Sequence, residues 1–171
     1  MSKLITRIIR ASKLDANLYE EVEADKGAMG QAIGVVVLSS IAAGIGSIGK
    51  EWHINMLMGT VFALIGWFIW AYLTYLIGTK VFPEPQTKAD LGELLRTIGF
   101  SSAPGLIRIF GIIPGLAGVF LIGALGWMLI AAVIAVRQAL DYTSTLRAIG
   151  VCVIGWLIQL AILLVFFYIW D

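Results

Sequence analysis

The apolar positions of this chain fall into four long runs that contain no Asp, Glu, Lys or Arg. They occupy residues 28–49, 57–79, 115–136 and 149–170. A helix of about 20 apolar residues crosses the hydrocarbon core of a bilayer. The pattern therefore predicts four transmembrane helices, and it makes the chain all-α.

A fifth apolar stretch, "GFSSAPGLIRIFGIIPG" at residues 99–115, interrupts this pattern with prolines, glycines and Arg108. It could be a spanning helix, a re-entrant hairpin or a loop. A crossing at residues 97–113 would rise about 25 Å, which is short, and Pro104 lacks the backbone donor that a helix needs there. Packed neighbours can shield the freed carbonyl. We therefore expect a kinked, centrally packed third span, followed by a tight turn at "GIIPG".

The basic residues of the connecting segments favour the crossing. With five spans, ten Lys and Arg residues lie on the side of the N-terminus, including Lys80, Lys88 and Arg96 of the 80–96 connection, and one lies on the other side. Without a crossing at 97–113 the split becomes eight against three. Cytoplasmic loops are enriched in Lys and Arg. We predict a multi-pass protein of the plasma or inner membrane, with its N-terminus in the cytoplasm and its C-terminus outside.

Residues 1–25 form a charged segment ahead of the membrane domain, which we place at 26–171 with five spans. On a helical wheel, residues 1–14 separate an apolar side from a basic side. The apolar side holds Leu4, Ile5, Ile8 and Ile9, and the basic side holds Lys3, Arg7, Arg10 and Lys13. Such a helix lies on anionic head groups, or else it is a solvated helix packed on the rest of the protein. The fold prediction is thus a compact five-helix bundle with an N-terminal amphipathic helix.

Acidic residues follow directly, at Glu20, Glu21, Glu23 and Asp25. The simplest explanation is the preference of carboxylates for a helix N-terminus. A docking surface for a basic partner, or a site for a hard cation, is the alternative. At the end of the fourth span, Arg137 and Asp141 are four residues apart and could pair on one helix face.

Composition supports a membrane protein and argues against catalysis. The chain is 60% hydrophobic and 13% charged, with one Cys and one His. It has no phosphate-binding loop, dinucleotide fingerprint or zinc-protease motif. We predict no enzyme, no cofactor, no metal and no nucleic-acid partner.

Two features of the apolar stretches could matter for assembly or binding. "GQAIG" at residues 30–34 and "GIIPG" at 111–115 have small residues four apart, which allows helices to approach closely or to self-associate, and only the first clearly lies within a predicted spanning helix. Arg108 is the one charge that we place inside a span. It could mark a functional site or an ion pair, or it could extend to the membrane surface.

Three stretches resemble the Yip domain family, the Ypt/Rab-interacting membrane proteins. They are "LYEEVEADKGAMGQAIGVVVLSS", "LLRTIGFSSAPGLI" and "WMLIAAVIAVRQALDYTSTLRAIGVCVIGWL". The matching positions are Tyr19, Glu21, Asp25, Gly99, Phe100, Pro104, Trp127, Arg137, Thr143, Ser144 and Thr145. The resemblance implies five spans and a cytoplasmic N-terminus. Eukaryotic members are similar to trafficking factors that engage Rab GTPases and have a long N-terminal region. The short segment here suggests a bacterial or archaeal member.

These patterns lead to one functional expectation and one alternative. We expect a non-enzymatic membrane scaffold or adaptor in the lipid bilayer, with homo-oligomers and a cytoplasmic protein partner. The alternative is a small transporter or channel with a path near the third span. The candidate binding residues are Glu20, Glu21, Asp25, Arg108, Arg137 and Asp141. The candidate structural residues are Gly30, Gly34, Pro104, Gly111, Pro114 and Gly115.

Overall fold

The computed structural model describes residues 2–47 and 52–170, and helices form most of this part of the chain. Seven α-helices follow one another in sequence: α1 (Lys3–Ser12), α2 (Ala16–Ala24), α3 (Met29–Gly46), α4 (Trp52–Leu76), α5 (Leu91–Ser101), α6 (Ala117–Ala139) and α7 (Thr145–Trp170). A π-helical turn, Ile77–Val81, extends α4, and a 3₁₀ segment, Ala103–Ile112, follows α5.

Four segments are long and apolar enough to cross a membrane. They are Lys26–Gly46, Met56–Val81, Ala117–Ala139 and Thr145–Ile162. The four spans read from the uncharged runs are thus confirmed, with ends shifted by a few residues. The predicted end of the first span at residue 49 lies outside the described residues.

The third predicted span is not one kinked helix over residues 97–113. Helix α5 begins earlier, at Leu91, because Asp90 caps it: the Asp90 side chain accepts a hydrogen bond from the Glu93 backbone N–H, and the Glu93 side chain accepts one from the Asp90 N–H. The α-helix ends at Ser101 and the backbone tightens to 3₁₀ geometry at Ala103. Pro104 explains the change, since it cannot donate to a carbonyl four residues earlier and its ring crowds that carbonyl.

A seam of glycines joins this broken segment to α3. A Cβ at Gly99 would lie 2.7 Å from Ala32 Cβ, and one at Gly111 would lie 2.6 Å from the Gly46 carbonyl oxygen. Between them, a Cβ at Gly105 would overlap the Ser39 hydroxyl. The contacts advance together along both segments, so residues 99–111 run parallel to α3 in close backbone contact.

The length of this seam is nearly that of a membrane crossing. Ala32 and Gly46 are separated on α3 by a rise of about 21 Å. The segment also packs against α6 on its other side. It therefore lies in the middle of the bundle, which fits the central packing expected from the sequence.

A tight turn connects the 3₁₀ segment to α6. The Leu116 backbone N–H donates to the Ile113 carbonyl at 3.1 Å, and Gly115 between them has a φ of 83°. Pro114 and Gly115 thus occupy the second and third positions of a type II turn, where proline supplies a fixed φ and glycine tolerates a positive one.

Helices α1 and α2 form a layer across one end of the bundle, which we call the N-terminal cap. Its apolar side chains share one buried cluster with α3, α5 and the 3₁₀ segment, including Ala11, Leu18, Val22, Ala32 and Phe100. A second cluster fills the space between α4, α5, α6 and α7. The cap is therefore packed onto the helices rather than separated from them.

Arg96 corrects the charge assignment of the sequence analysis, which placed it in the connecting loop. It belongs to α5 and is 5% exposed. Its Nε donates to the Val22 carbonyl at 2.9 Å and its Nη2 donates to the Glu23 carbonyl. These bonds tie the C-terminal half of α2 to α5.

Candidate functional site

The candidate binding residues lie in three separate places. Glu20, Arg137 and Asp141 line a polar cleft beside the cap. Glu21 and Asp25 form ion pairs within the cap. Arg108 lines a cavity among the long helices.

The polar cleft is built from α2, the end of α6 and the segment that follows α4. It has a volume of about 580 Å³, and its lining residues are Glu20, Gln86, Arg137, Gln138, Asp141, Tyr142 and Thr143. Gln138 Nε2 donates to Glu20 Oε1 at 2.7 Å, and Gln86 Nε2 donates to the Asp141 carbonyl at 2.9 Å. Three segments distant in sequence thus present one polar surface.

Arg137 and Asp141 both line the cleft but form no ion pair with each other, although both are among the described residues. Helix α6 ends at Ala139, and Asp141 adopts a φ of 53°, so its side chain leaves the helix face shared with Arg137. Asp is among the residues that adopt this left-handed region most readily. Arg137 Nε donates instead to the Tyr142 carbonyl at 3.2 Å.

Glu84, which was not predicted from the sequence, binds two residues that line the cleft, Gln86 and Thr143. Its Oε2 accepts from the Thr143 backbone N–H at 2.9 Å and from the Thr143 hydroxyl at 2.8 Å. These bonds, the backbone bond first, lower the pKa of the Glu84 carboxyl. Arg147 lies 3.5 Å from the other carboxylate oxygen. A charged residue between two prolines, as in "PEP", is the only sequence signal for this role.

Nearby, the Tyr142 hydroxyl ties the same loop to the end of the second span. It lies 2.7 Å from the Phe82 carbonyl oxygen and 3.0 Å from that of Gly78. Tyr142 is almost fully buried. Together with Glu84, it holds the connection after α6 against the connection after α4, so the cleft has a fixed shape.

Within the cap, Arg7 is the residue that binds the acidic segment. Its Nη2 lies 2.8 Å from Glu21 Oε1 and 2.7 Å from Asp25 Oδ2, and its Nη1 donates to Gln31 Oε1 at 3.0 Å. Arg7 is 2% exposed. Its charge therefore faces α2 and α3, while the exposed side of α1 carries Ile5 and Ile9.

These ion pairs change the acidity of the two carboxyls. The hydrogen bond from Arg7, with that from Lys3 second, lowers the pKa of Asp25 to about 2. Hydrogen bonds from Arg7 and then Arg10 lower the pKa of Glu21. An opposite charge at contact distance favours the ionised carboxylate. The sequence signal for this arrangement is the basic face of α1 followed by an acidic helix, because the two have complementary charges.

Glu23 behaves in the opposite way. Burial, followed by repulsion from Glu93, Asp141 and Glu20, raises its pKa to about 7, although Arg96 opposes the shift. Carboxylates from α2, α5 and the α6 end thus all act on Glu23 beside the cleft.

A cation site at the acidic segment is not supported by these contacts. No group of three or more His, Cys, Asp or Glu side chains in residues 2–47 and 52–170 has a metal-binding arrangement. Glu21 and Asp25 already bind arginine and lysine side chains.

Arg108 lies on the 3₁₀ segment and its side chain turns toward α3. Nη2 donates to the Ser39 carbonyl at 2.9 Å and to the Ser39 hydroxyl at 2.7 Å, and Nε donates to the Gly105 carbonyl at 3.0 Å. Ser39 is seven residues before the end of α3, which corresponds to about 10 Å. The guanidinium therefore points into the bundle and away from the nearby end of the 3₁₀ segment.

The candidate structural residues also lie in different parts of the structure. Pro104 and Gly111 belong to the central seam, and Pro114 with Gly115 forms the type II turn. A Cβ at Gly30 or Gly34 would meet no atom within 4 Å. Among the residues that the structure describes, the face of α3 that carries these two glycines thus has open space beside it.

Comparison with known proteins gives one match. The sequence model of the Yip1 domain matches residues 19–167. Searches of the curated proteins and of the solved structures found no match. The matched region begins in α2 and ends near the end of α7, so it includes the polar cleft, the central seam and the Arg108 cavity. This chain belongs to the Yip1 domain family of membrane proteins.

Proposed function

We propose that the protein is a non-enzymatic membrane scaffold that binds a protein partner through the polar cleft. The observation that carries the proposal is the assembly of this cleft from α2, the α6 end and the segment after α4. Buried Glu84 and Tyr142 hold two of these segments together. A surface that is fixed before binding loses little conformational entropy when a partner docks.

The charge of the cleft suggests the chemistry of that partner. Glu20 and Asp141 line it, and Glu23 and Glu93 lie close enough to affect one another electrostatically. Arg137 is the one basic side chain of the lining. Complementary charges steer association and select partners. A basic segment of a cytoplasmic protein is the partner that this surface fits best.

The proposed topology places the cleft in the cytoplasm. Five crossings are supported by the seam, because a segment that runs parallel to α3 from Ala32 to Gly46 reaches the same end of the bundle as α3. The excess of Lys and Arg in the N-terminal segment and in the 80–96 and 137–148 segments supports a cytoplasmic cap. Residues 1–25 then form the cytoplasmic cap region, and residues 26–171 form the membrane domain.

Photo-crosslinking in native membranes tests the docking proposal. With a photoreactive amino acid at Gln86, we expect one discrete protein adduct that the double variant Glu20→Lys, Asp141→Lys removes. The control Lys13→Glu reverses an exposed charge outside the cleft and should leave the adduct unchanged. Adducts with lipid only, or an adduct that persists in the double variant, would contradict the proposal.

We also propose self-association through the open face of α3. A Cβ at Gly30 or Gly34 would meet no atom within 4 Å, and Ile33 and Leu38 of the same helix are exposed. Faces with small residues four apart allow two helices to approach closely in a bilayer. Gly34→Leu should increase the monomer fraction in crosslinking and light-scattering experiments, whereas Gly150→Leu, at an open position of α7, should not. Equal oligomer fractions in both variants would contradict this face.

Transport is the competing function, and the cavity that Arg108 lines is the observation that favours it. Charged side chains inside a bundle are common along substrate paths. Proteoliposomes should then show solute or ion flux that Arg108→Ala abolishes. Absence of flux across a panel of ions and small anions would leave the scaffold as the better explanation.

A further inference from the structure

The membrane domain contains a large cavity with one charged side chain. Its volume is about 980 Å³, near the upper limit of ordinary ligand sites. Helices α3, α4, α6 and α7 and the α5–3₁₀ junction contribute its walls. Most lining side chains are apolar, and Arg108 is the one charged residue among the described residues that line it.

The charge of Arg108 has no counterion in the part of the chain that the structure describes. None of the ion pairs formed there includes it. Its three hydrogen bonds, through Nε and Nη2, go to neutral oxygens of Ser39 and Gly105. The Nη1 amino group has no acceptor among the described residues. A guanidinium held in this way keeps donors for an anion.

The hydroxyl groups around the cavity add to this picture. Ser40, Ser47 and Ser101 each donate to a carbonyl of their own helix, so their donors are used. Ser102 also lines the cavity, and its hydroxyl has no partner within the described ranges. Arg108, which has no counterion among the described residues, and the Ser102 hydroxyl are thus polar groups on the wall of a mainly apolar space.

We propose that this cavity binds one anionic phospholipid, with its phosphate on Arg108 and its acyl chains in the apolar part. Arginine binds phosphate through charge-assisted, often bidentate hydrogen bonds. A charge at this depth in a membrane requires a partner, and a phosphate supplies it. The apolar walls between α4, α6 and α7 suit acyl chains rather than a small hydrated anion.

The site is independent of the polar cleft. It shares no lining residue with the cleft, which lies beside the cap. Loss of partner binding at the cleft would therefore leave lipid binding intact, and the reverse also holds. The two proposals can fail separately.

Native mass spectrometry of the purified full chain tests the proposal. The protein is released from mixed micelles that contain equal amounts of phosphatidylglycerol and phosphatidylcholine, with inorganic phosphate in a parallel sample. We expect one retained phosphatidylglycerol, favoured at least about tenfold over phosphatidylcholine. Arg108→Gln should abolish the preference, Arg108→Lys should reduce it, and Lys13→Gln should leave it unchanged because that exposed cation lies in the segment before α2.

A second variant keeps the test valid if Arg108→Gln does not fold. Gly126 lines the cavity, and a Cβ there would meet no atom within 4 Å. Gly126→Leu should therefore fold normally, fill part of the cavity and reduce lipid retention while Arg108 remains. Correct folding is verified by protection of the buried Cys152 thiol from alkylation.

Several results would overturn the proposal. These are equal retention of the two lipids, retention of phosphatidylglycerol by Arg108→Gln, and unchanged retention by Gly126→Leu. Binding of inorganic phosphate without lipid would assign the site to a soluble anion instead. A lipid-free dimer that dissociates in Gly126→Leu would show that a second copy of the chain occupies the cavity.

Discussion

The Nη2 atom of Arg7 lies 2.7 Å from the Oδ2 atom of Asp25, and this contact joins the first helix to the start of the first membrane span. The same nitrogen also binds Glu21. Arg7 is almost fully buried, whereas Glu21 and Asp25 keep part of their side chains in solvent. The Arg7 guanidinium therefore links α1 to α2 and to the start of the first membrane span.

Arg7→Ala is expected to loosen the N-terminal cap. The substitution removes the buried partner of two carboxylates, which keep only their more exposed contacts with Lys3 and Arg10, and it removes the buried bond to Gln31. We expect a loss of about 2–3 kcal/mol of stability. Hydrogen exchange should rise throughout α1 before the long helices unfold. The control Arg10→Ala removes a more exposed arginine and should cost less than about 1 kcal/mol. Equal exchange in the two variants would contradict a special role for Arg7.

Acid should release the cap in the same way. The pKa of Asp25 in the folded protein is lowered to about 2 by its hydrogen bonds to Arg7 and Lys3. The stabilisation is therefore fully present above the ordinary carboxyl pKa of about 4, and it is lost as the pH falls toward 2. Pepsin should cut the α1–α2 connection at pH 2 but not at pH 4. Arg7→Ala should already be cut at pH 4, and cleavage independent of both changes would contradict the linkage.

Glu23 predicts a second pH dependence, with the opposite sign. Its pKa is raised to about 7, so the folded protein binds more protons than the unfolded chain between about pH 4.5 and 7. The contribution of Glu23 to the stability of the fold is fully present below that pH window and is lost as the pH rises through 7. Glu23→Gln should remove this dependence of stability on pH. At pH 8 the variant should be more stable than the parent by about 1–2 kcal/mol after solvent screening, and it should therefore melt at a higher temperature.

The measurement for Glu23 is thermal unfolding followed by tryptophan fluorescence at pH 5.5 and 8. Glu20→Gln is the matched control, because it removes an exposed carboxylate from the same helix and should retain most of the slope. A Glu23→Gln protein with the parent's pH dependence would assign the slope to another group.

The sequence predicted the long helices well because uncharged runs have few alternatives to the bilayer. It also indicated a tight turn at "GIIPG", since Pro114 and Gly115 have local backbone preferences. It could not predict where Arg7, Arg96 and Arg108 point. A helical wheel, or a count of the basic residues in the loops, assigns each arginine to one side of a helix or of the membrane. The hydrogen-bond partners, however, lie on helices whose relative positions depend on packing. Arg96 and Arg108 bind backbone carbonyls, which every residue has and no sequence pattern marks.

The central seam was visible in the sequence but could be interpreted only with the structure. Gly99, Gly105 and Gly111 are spaced by six residues, which is two turns of a 3₁₀-helix but does not match the 3.6-residue turn of an α-helix. The spacing has a physical reason once the backbone is known, because an α-helical turn followed by a 3₁₀ segment brings these three positions to α3. Pro104 predicted a kink, but it did not predict which helix the kinked segment packs against.

Gly111→Ala is expected to weaken this seam. The new Cβ would lie 2.6 Å from the Gly46 carbonyl oxygen and 3.1 Å from Gly46 Cα, both backbone atoms that move only with α3. We expect a loss of about 1–3 kcal/mol, as for other overpacked sites. The matched control is Gly150→Ala in α7, where a Cβ would meet nothing within 4 Å and where alanine should be neutral or stabilising by about 0.5–1 kcal/mol. Melting in detergent, followed by alkylation of buried Cys152, measures both. Equal melting of the two variants would mean that residues 99–111 do not approach α3 this closely.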